Sequence, residues 1–317
     1  MNFPLFDLHC DTALALLGSN MDRMDSLYQN SCHIDLARAS SLAGYAQCFA
    51  CFTFPAENLP GGLTVRDWFQ KELTVLQEQI AANSGLISQA KTADDVERNF
   101  FSGKMSAIYT IEGTAGIGFD PSALEELYRI GFRMTTLTWN ERNVLAGSHC
   151  TGGGLTDLGR EYVKEAQRLG MMVDVSHISD DAFWDIMDIT QAPLIASHSN
   201  SRRVFAVSRN LTDEMFLEIC RTGGTAGLNQ YVSFLGPNAD LNTACDHIFH
   251  FLELDPDGSH ISLGGDLDGC DELPHGFSGV QDYPRLAARL MERGLGETFV
   301  RRIFWNNALD VMRKCCK

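Results

Sequence analysis

Residues 6–14 read FDLHCDTAL, an apolar run that ends on His9 and Asp11 with Cys10 between them. A strand with only a core to bury would continue in Val or Leu. Along an extended chain, residues i and i+2 share a face and i+1 turns to the other. His9 and Asp11 therefore point together, and Cys10 packs the opposite way as a small apolar filler, in keeping with the burial of free cysteine. An isolated H-x-D is weak evidence, so its meaning depends on how the other apolar runs end.

Seven more runs resemble the first: GYAQCFACFTF (44–54), KMSAIYTIEG (104–113), FRMTTLTW (132–139), MMVDVSH (171–177), PLIASHS (193–199), GTAGLN (224–229) and HISLGGD (260–266), after PLFDLH (4–9). Helix-like segments separate them. TVRDWFQKELTVLQEQIAANSG (64–85) spaces its apolar residues three and four apart and stops at Gly85, and TDLGREYVKEAQRLG (156–170) opens on a Thr156 cap and closes at Gly170. In DPSALEELYRIG (120–131), Asp120 is the expected cap, with Pro121 in the first turn. Eight strands alternating with helices predict a parallel α/β fold, a closed (β/α)8 TIM-like barrel. An open doubly wound sheet is the alternative. No linker or repeat divides the chain, so residues 1–317 are expected to form a single barrel domain.

Polar residues gather at the C-terminal ends of these runs: His9 and Asp11 on the first, Glu112 on the third, Trp139 on the fourth, His177 on the fifth, His198 on the sixth, and Asp266 and Asp268 on the eighth. In a barrel those ends converge on one mouth. His9, Asp11, Glu112, His177 and His198 make a mixed nitrogen and oxygen set suited to zinc and open to other divalent metals. One tetrahedral catalytic ion does not need five ligands, whereas two ions sharing a bridging carboxylate use all of them. Taken singly, each His is an ordinary hydrogen-bonded residue and Glu112 a helix cap beside Gly113. Five coincidences at strand ends explain the pattern worse than one shared site.

Position also removes decoys. His33 and Asp35 form a second H-x-D, but no apolar run precedes them, and Asp35 is placed to cap the short helix beginning LARAS. His247 and His250 are one helical turn apart without a carboxylate in zinc-site spacing, which predicts packing. Cys48 and Cys51 form a C-x-x-C within a strand, where residues three apart face opposite ways; they read as buried thiols. Cys315 and Cys316, at the tail, are expected to be exposed and oxidisable.

Composition bounds the function. With 41 acidic and 25 basic residues the net charge is −16, which repels nucleic acid and anionic membranes. Hydrophobic residues at 44% support a large core. No apolar run is long enough to span a bilayer, and MNFPLFDLHCD lacks the features of a secretory leader. Ten cysteines in a chain of this length do not form a disulfide scaffold. A cytoplasmic protein acting on a small molecule is expected.

At these residues the sequence resembles the membrane dipeptidase family, also called renal dipeptidases. The resemblance is carried by DLHCDT (7–12), IEG (111–113), LTWN (137–140), VDVSH (173–177), SHSN (197–200), RN (209–210), LGGDLDG (263–269) and WNNALDVM (305–312), in the family's order and over nearly the whole chain. It implies a barrel of the metal-dependent hydrolase type with two zinc ions, one held by His9, Asp11 and Glu112 and the other by Glu112, His177 and His198. It also implies Asp266 as the carboxylate that handles the proton, Arg209 as the grip on the substrate's carboxylate, and a homodimer. Many members carry a His after TLT, where this chain has Trp139 followed by Asn140; these two become the substrate contacts, and their preference is open. His149, in the neighbouring loop, is expected to be solvated.

The expected reaction is zinc-dependent hydrolysis of dipeptides with a free C-terminal carboxylate, a C-terminal D-residue being tolerated. The attacking group would be a hydroxide held between the ions, which removes the need for a Ser or Cys nucleophile and agrees with the absence of G-x-S-x-G. Asp266 would pass the proton to the leaving amine, while Glu112 bridges. TGGGLTD (151–157) lacks the Lys and Ser or Thr of a P-loop and reads as a loop over the mouth. A lactonase, deaminase or cyclic amidase on the same barrel is the alternative, ahead of a non-catalytic metal-binding protein.

Overall fold

The computed structural model describes residues 3–17, 26–53, 59 and 62–317. Phe54, the last residue of the second expected strand, lies outside them. Nine strands are present among the described residues: β1 (Leu5–Cys10), β2 (Tyr45–Phe52), β3 (Ile87–Gln89), β4 (Met105–Glu112), β5 (Phe132–Thr136), β6 (Met172–Asp174), β7 (Leu194–Ala196), β8 (Thr225–Leu228) and β9 (Ile261–Leu263). They run parallel in the order β2-β1-β9-β8-β7-β6-β5-β4, and β4 pairs back onto β2. This closes an eight-stranded barrel with helices between its strands, so the sheet is not open.

β3 is an additional strand outside the eight of the barrel. It pairs with Met105–Ala107 of β4, along the edge that β5 occupies from Tyr109 to Glu112. Three residues are too few to show alternation, so SGLISQA reads as loop from sequence.

Leu8, Cys48, Ile108, Met134, Met172 and Ile195 come from six different strands and pack together inside the barrel. Ala308, Val311 and Met312, from the helix Asn307–Cys315, join the same cluster and close its N-terminal end. Cys315 and Cys316 are therefore buried, at 7% and 3% exposure, and are not the exposed tail thiols expected. A chain end looks free in sequence; here it is the floor of the barrel.

The helices are stopped by their own side chains. Thr64 and Thr92 form reciprocal capping boxes with Asp67 and Asp95, and Thr156 accepts from the Gly159 N–H. Gly170 ends its helix at φ 86°, a conformation that favours glycine. Asp120 does not cap as expected. Its carboxylate accepts from the Ser122 N–H at 2.8 Å, making a turn before the helix Ala123–Ile130.

Candidate active site

Simple alternation does not by itself carry His9 into the mouth, because Phe6 and Leu8 already face the barrel interior. A bulge between Asp7 and Cys10 shifts the register against β2. The extra residue lets Leu8 and then His9 both turn inward. Cys10 faces the outer core, as the sequence predicts. Beneath the bulge, buried Asp7 accepts from the His9 N–H at 3.0 Å, the Gly265 N–H at 3.1 Å and the Tyr283 hydroxyl, which ties β1 to the loop after β9.

Glu112 ends β4, and His177, His198 and Asp266 follow β6, β7 and β9 within three residues. His177 and Asp266 adopt positive φ, 65° and 56°, as does Asp268 at 70°. A left-handed backbone at a non-glycine residue costs about 1–3 kcal/mol and persists only where the surroundings over-determine it. Here it aims side chains from three-residue strands back across the mouth.

Hydrogen bonds set the histidine tautomers. The Ser197 hydroxyl donates to Asp174 Oδ2 at 2.6 Å, so its oxygen must accept from His198 Nδ1, also at 2.6 Å. His177 Nδ1 donates to Asn140 Oδ1 at 3.0 Å. Both Nε2 atoms are left as bare lone pairs, yet they face each other at 3.0 Å. Glu112 Oε1, a third acceptor, stands 2.9 Å from His177 Nε2 and 3.7 Å from His198 Nε2. Three acceptors with no donor among them repel one another unless a cation lies between them, and this donor set fits a zinc-class ion.

Glu112 turns its other oxygen the opposite way, to 3.1 Å from His9 Nε2, which is also 3.4 Å from Asp11 Oδ2 and 3.8 Å from Asp266 Oδ1. Neither His9 nitrogen, nor Asp11 Oδ1, nor Glu112 Oε1 has a hydrogen-bond partner, although all are buried. The ligand atoms of His9, Glu112 and His198, and those of His9, Asp11 and Asp266, lie within 4.8 Å of one another. The structure thus brings all five expected ligands and Asp266 together, with Glu112 central. His33, Asp35, His247 and His250 stay outside this cluster.

Burial and mutual charge shift these groups. Burial lowers His198, helped by the His9 charge, and lowers His177 to about 4, helped by Arg209. His9 is raised instead: burial opposes its charge, but Glu112 and Asp11 outweigh burial. The same pairing, through His9 and His177, holds Glu112 below the carboxylate range despite its burial. Burial lifts Asp11 to about 7 and raises Asp266.

A cavity of about 460 Å³ opens above these groups, walled by Leu14, Phe52, Trp139, Tyr231 and Phe234. Trp139 stands edge-on to Phe52, their rings 4.9 Å apart. Arg209 is 4% exposed; its Nη1 donates to Ser199 Oγ at 2.7 Å, while Nε and Nη2 have no partner. A buried guanidinium with unused donors is poised for an anion. His149 is not a solvated loop residue. Its Nε2 donates to Asn140 Oδ1 at 2.9 Å, and Nδ1 pairs with Ser208 Oγ, so Asn140 gathers two imidazoles. Asp268 accepts from Thr12 Oγ1 at 2.7 Å and from the His33 N–H, making it a strut of the mouth; His33 is that strut's other end. Asp35 caps its helix by accepting from the Arg38 N–H, and His247 bridges Ser201 and Leu235 as a packing residue.

The residues missed from sequence are Asp174 and Ser197. The signal was present: an Asp in the middle of the apolar run MMVDV must be buried, and a buried carboxylate needs donors.

The model of the membrane dipeptidase family, peptidase family M19, matches residues 1–316. An uncharacterized dipeptidase of Schizosaccharomyces pombe is 36% identical over 225 residues, which cover 69% of this chain and 55% of that protein. The dipeptidase tcpJ of Claviceps purpurea is 30% identical over 262 residues, covering 79% and 60%. The chain thus spans little more than half the length of these two fungal relatives. A Rhodobacter sphaeroides metallopeptidase, solved with a phosphinate mimic of the dipeptide L-Ala-D-Ala, superposes with a TM-score of 0.90 at 26% identity, covering 99% of this chain and 100% of that one. A metallopeptidase of family M19, dipeptidase AC, gives 0.88 at 27% identity, covering 100% and 99%. A family match over residues 1–316, joined to this barrel and the cluster of candidate metal ligands at its mouth, leads to one conclusion: the chain belongs to the membrane dipeptidase family, a family of metal-dependent peptide hydrolases.

Proposed function

We propose that this chain, as a single barrel domain, is a zinc-dependent dipeptidase that releases amino acids from dipeptides with a free C-terminal carboxylate. The observation that carries this reading is the face-to-face pair of bare His177 and His198 nitrogens against Glu112, together with the buried Arg209 guanidinium, whose Nε and Nη2 have no partner. His9, Asp11 and Glu112 would hold one divalent ion and Glu112, His177 and His198 a second, and the chemistry such ions would supply is a water with its pKa lowered to about 7 and polarisation of the scissile carbonyl. Asp266, whose carboxyl is raised by burial, would take the proton and deliver it to the leaving amine. Arg209 forks the terminal carboxylate of the substrate. Asn140 orients His177, and Trp139 forms an apolar wall against the substrate side chain. The mimic bound by the Rhodobacter sphaeroides relative supports tolerance of a C-terminal D-residue. Ten cysteines that form no disulfide among the described residues fit a reducing compartment, and we place the enzyme in the cytoplasm.

Amino-acid release from a panel of L-L and L-D dipeptides tests this reading. Release is expected from both sets, to stop on chelation and to return with zinc. Arg209→Ala is expected to lose the preference for free over carboxyl-amidated dipeptides. No release from any member by protein with zinc bound at the mouth would overturn the assignment.

A further inference from the structure

A second cluster of ligating side chains lies at the opposite end of the barrel. Cys220 comes from the last turn of the helix Asp213–Thr222, which leads into β8; Asp255 ends the helix Leu241–Leu254; His260 directly precedes β9. The ligand atoms of these three residues lie within 4.8 Å of one another. None of them contributes to the mouth.

The separations suit a shared ion. His260 Nδ1 is 3.2 Å from Asp255 Oδ1, and two donors held at about 2.0–2.2 Å by one tetrahedral ion stand roughly 3.4 Å apart. Asp255 is fixed in place, since its other oxygen accepts from the His260 N–H at 2.9 Å. Asp255 is 8% exposed, and Cys220 and His260 are partly buried. Beside His260, a polar cavity of about 300 Å³ lined by Ser259, Asn306 and Asp310, and also by the cationic Arg302 and Lys314, gives solvent a way in. The same three side-chain types would also make a nucleophilic triad. Burial pushes the Cys220 thiol up to about 12, with Asp255 and Asp257 adding to the shift, so no thiolate is available for attack at neutral pH.

We infer that Cys220, Asp255 and His260 form a second binding site for a divalent ion of the zinc class, with water as the fourth ligand. A thiolate beside an imidazole selects borderline and soft metals over magnesium or calcium. On binding, the thiol proton passes to solvent as the metal–sulfur bond forms. The ion then ties two helix ends to the start of β9, a structural cross-link independent of the chemistry at the mouth.

Cobalt(II) is the probe, used on the full chain. The proposed ligands at the mouth include no sulfur, so a thiolate-to-cobalt charge-transfer band reports this site alone. The expected result is a band of single-thiolate intensity in wild type that persists in Cys10→Ser, Cys150→Ser and Cys270→Ser, whose thiols lie near the mouth. It should vanish in Cys220→Ser and weaken at least tenfold in apparent affinity in His260→Gln, while dipeptide hydrolysis by both variants stays at the wild-type rate. Absence of the band at saturating cobalt overturns the site, as does a band that survives Cys220→Ser or keeps full affinity in His260→Gln.

Discussion

At His198 the nitrogen that faces the mouth is bare because Asp174 claims the Ser197 proton and Ser197 in turn claims the proton on Nδ1. Such outer hydrogen bonds fix ring orientation and tautomer, and losing one typically costs about 10–100-fold in metal affinity. Ser197→Ala is accordingly expected to weaken zinc retention by about that factor in a competition titration with a chelator, with activity restored by excess zinc; unchanged affinity would show that the ring is held by packing alone. Asp266 acts differently. Its carboxylate is kept at the mouth by the Asn229 amide at 3.0 Å and by its left-handed backbone. Asp266→Asn should keep the zinc stoichiometry of wild type and lower kcat by about 10²–10⁴, the usual contribution of a positioned acid or base. An unchanged kcat would remove Asp266 from proton transfer.

At the level of elements, the barrel strands are short, and the turns after them do the aiming. The turn after β9 carries Asp266 and Asp268 at positive φ and then Gly269, where a Cβ would collide with Asp11 Oδ2 and lie 2.7 Å from Asp266 Oδ1. Gly269 is thus the gap that lets two carboxylates from opposite ends of the chain approach. Gly269→Ala should displace Asp11 and weaken metal retention at the His9 side by at least about tenfold, measured as zinc per chain after dialysis. Full retention would mean that the turn shifts without disturbing Asp11. The bulge in β1 has the same character. It was illegible in FDLHCDTAL because alternation assumes regular pairing, and an inserted residue is revealed only by the partner strand. β3 escaped for a related reason, since three residues carry too little pattern to separate strand from loop.

Across the whole molecule, the strand ends bring His, Asp and Glu from positions 9 to 266 into one acceptor-rich cluster. Without a cation, that convergence opposes folding. An ion bound at a free concentration a thousandfold above its Kd stabilises by about 4 kcal/mol, which for a barrel of this size raises Tm by on the order of 10 °C. Chelated protein should therefore melt lower by about that amount in calorimetry, and zinc should restore it. Equal melting temperatures would argue that the cluster is satisfied without metal. No helix among the described residues is long and apolar enough to cross a membrane.

The sequence by itself determined the barrel class and which residues gather at its mouth, because the succession of apolar runs and helices and the position of polar residues at the ends of those runs are local properties, written in consecutive residues. It also determined most helix ends, as Thr64, Thr92 and Thr156 cap through their immediate neighbours. Only the tertiary structure decided the rest. It tied Asp174 to His198 through Ser197, held His149 against Asn140, made a strut of Asp268 and His33, and turned the tail with Cys315 and Cys316 into the floor of the barrel. These are contacts between residues distant in the chain. Hydrogen bonds and burial of that kind depend on the packed arrangement, so no reading of neighbours along the chain contains them.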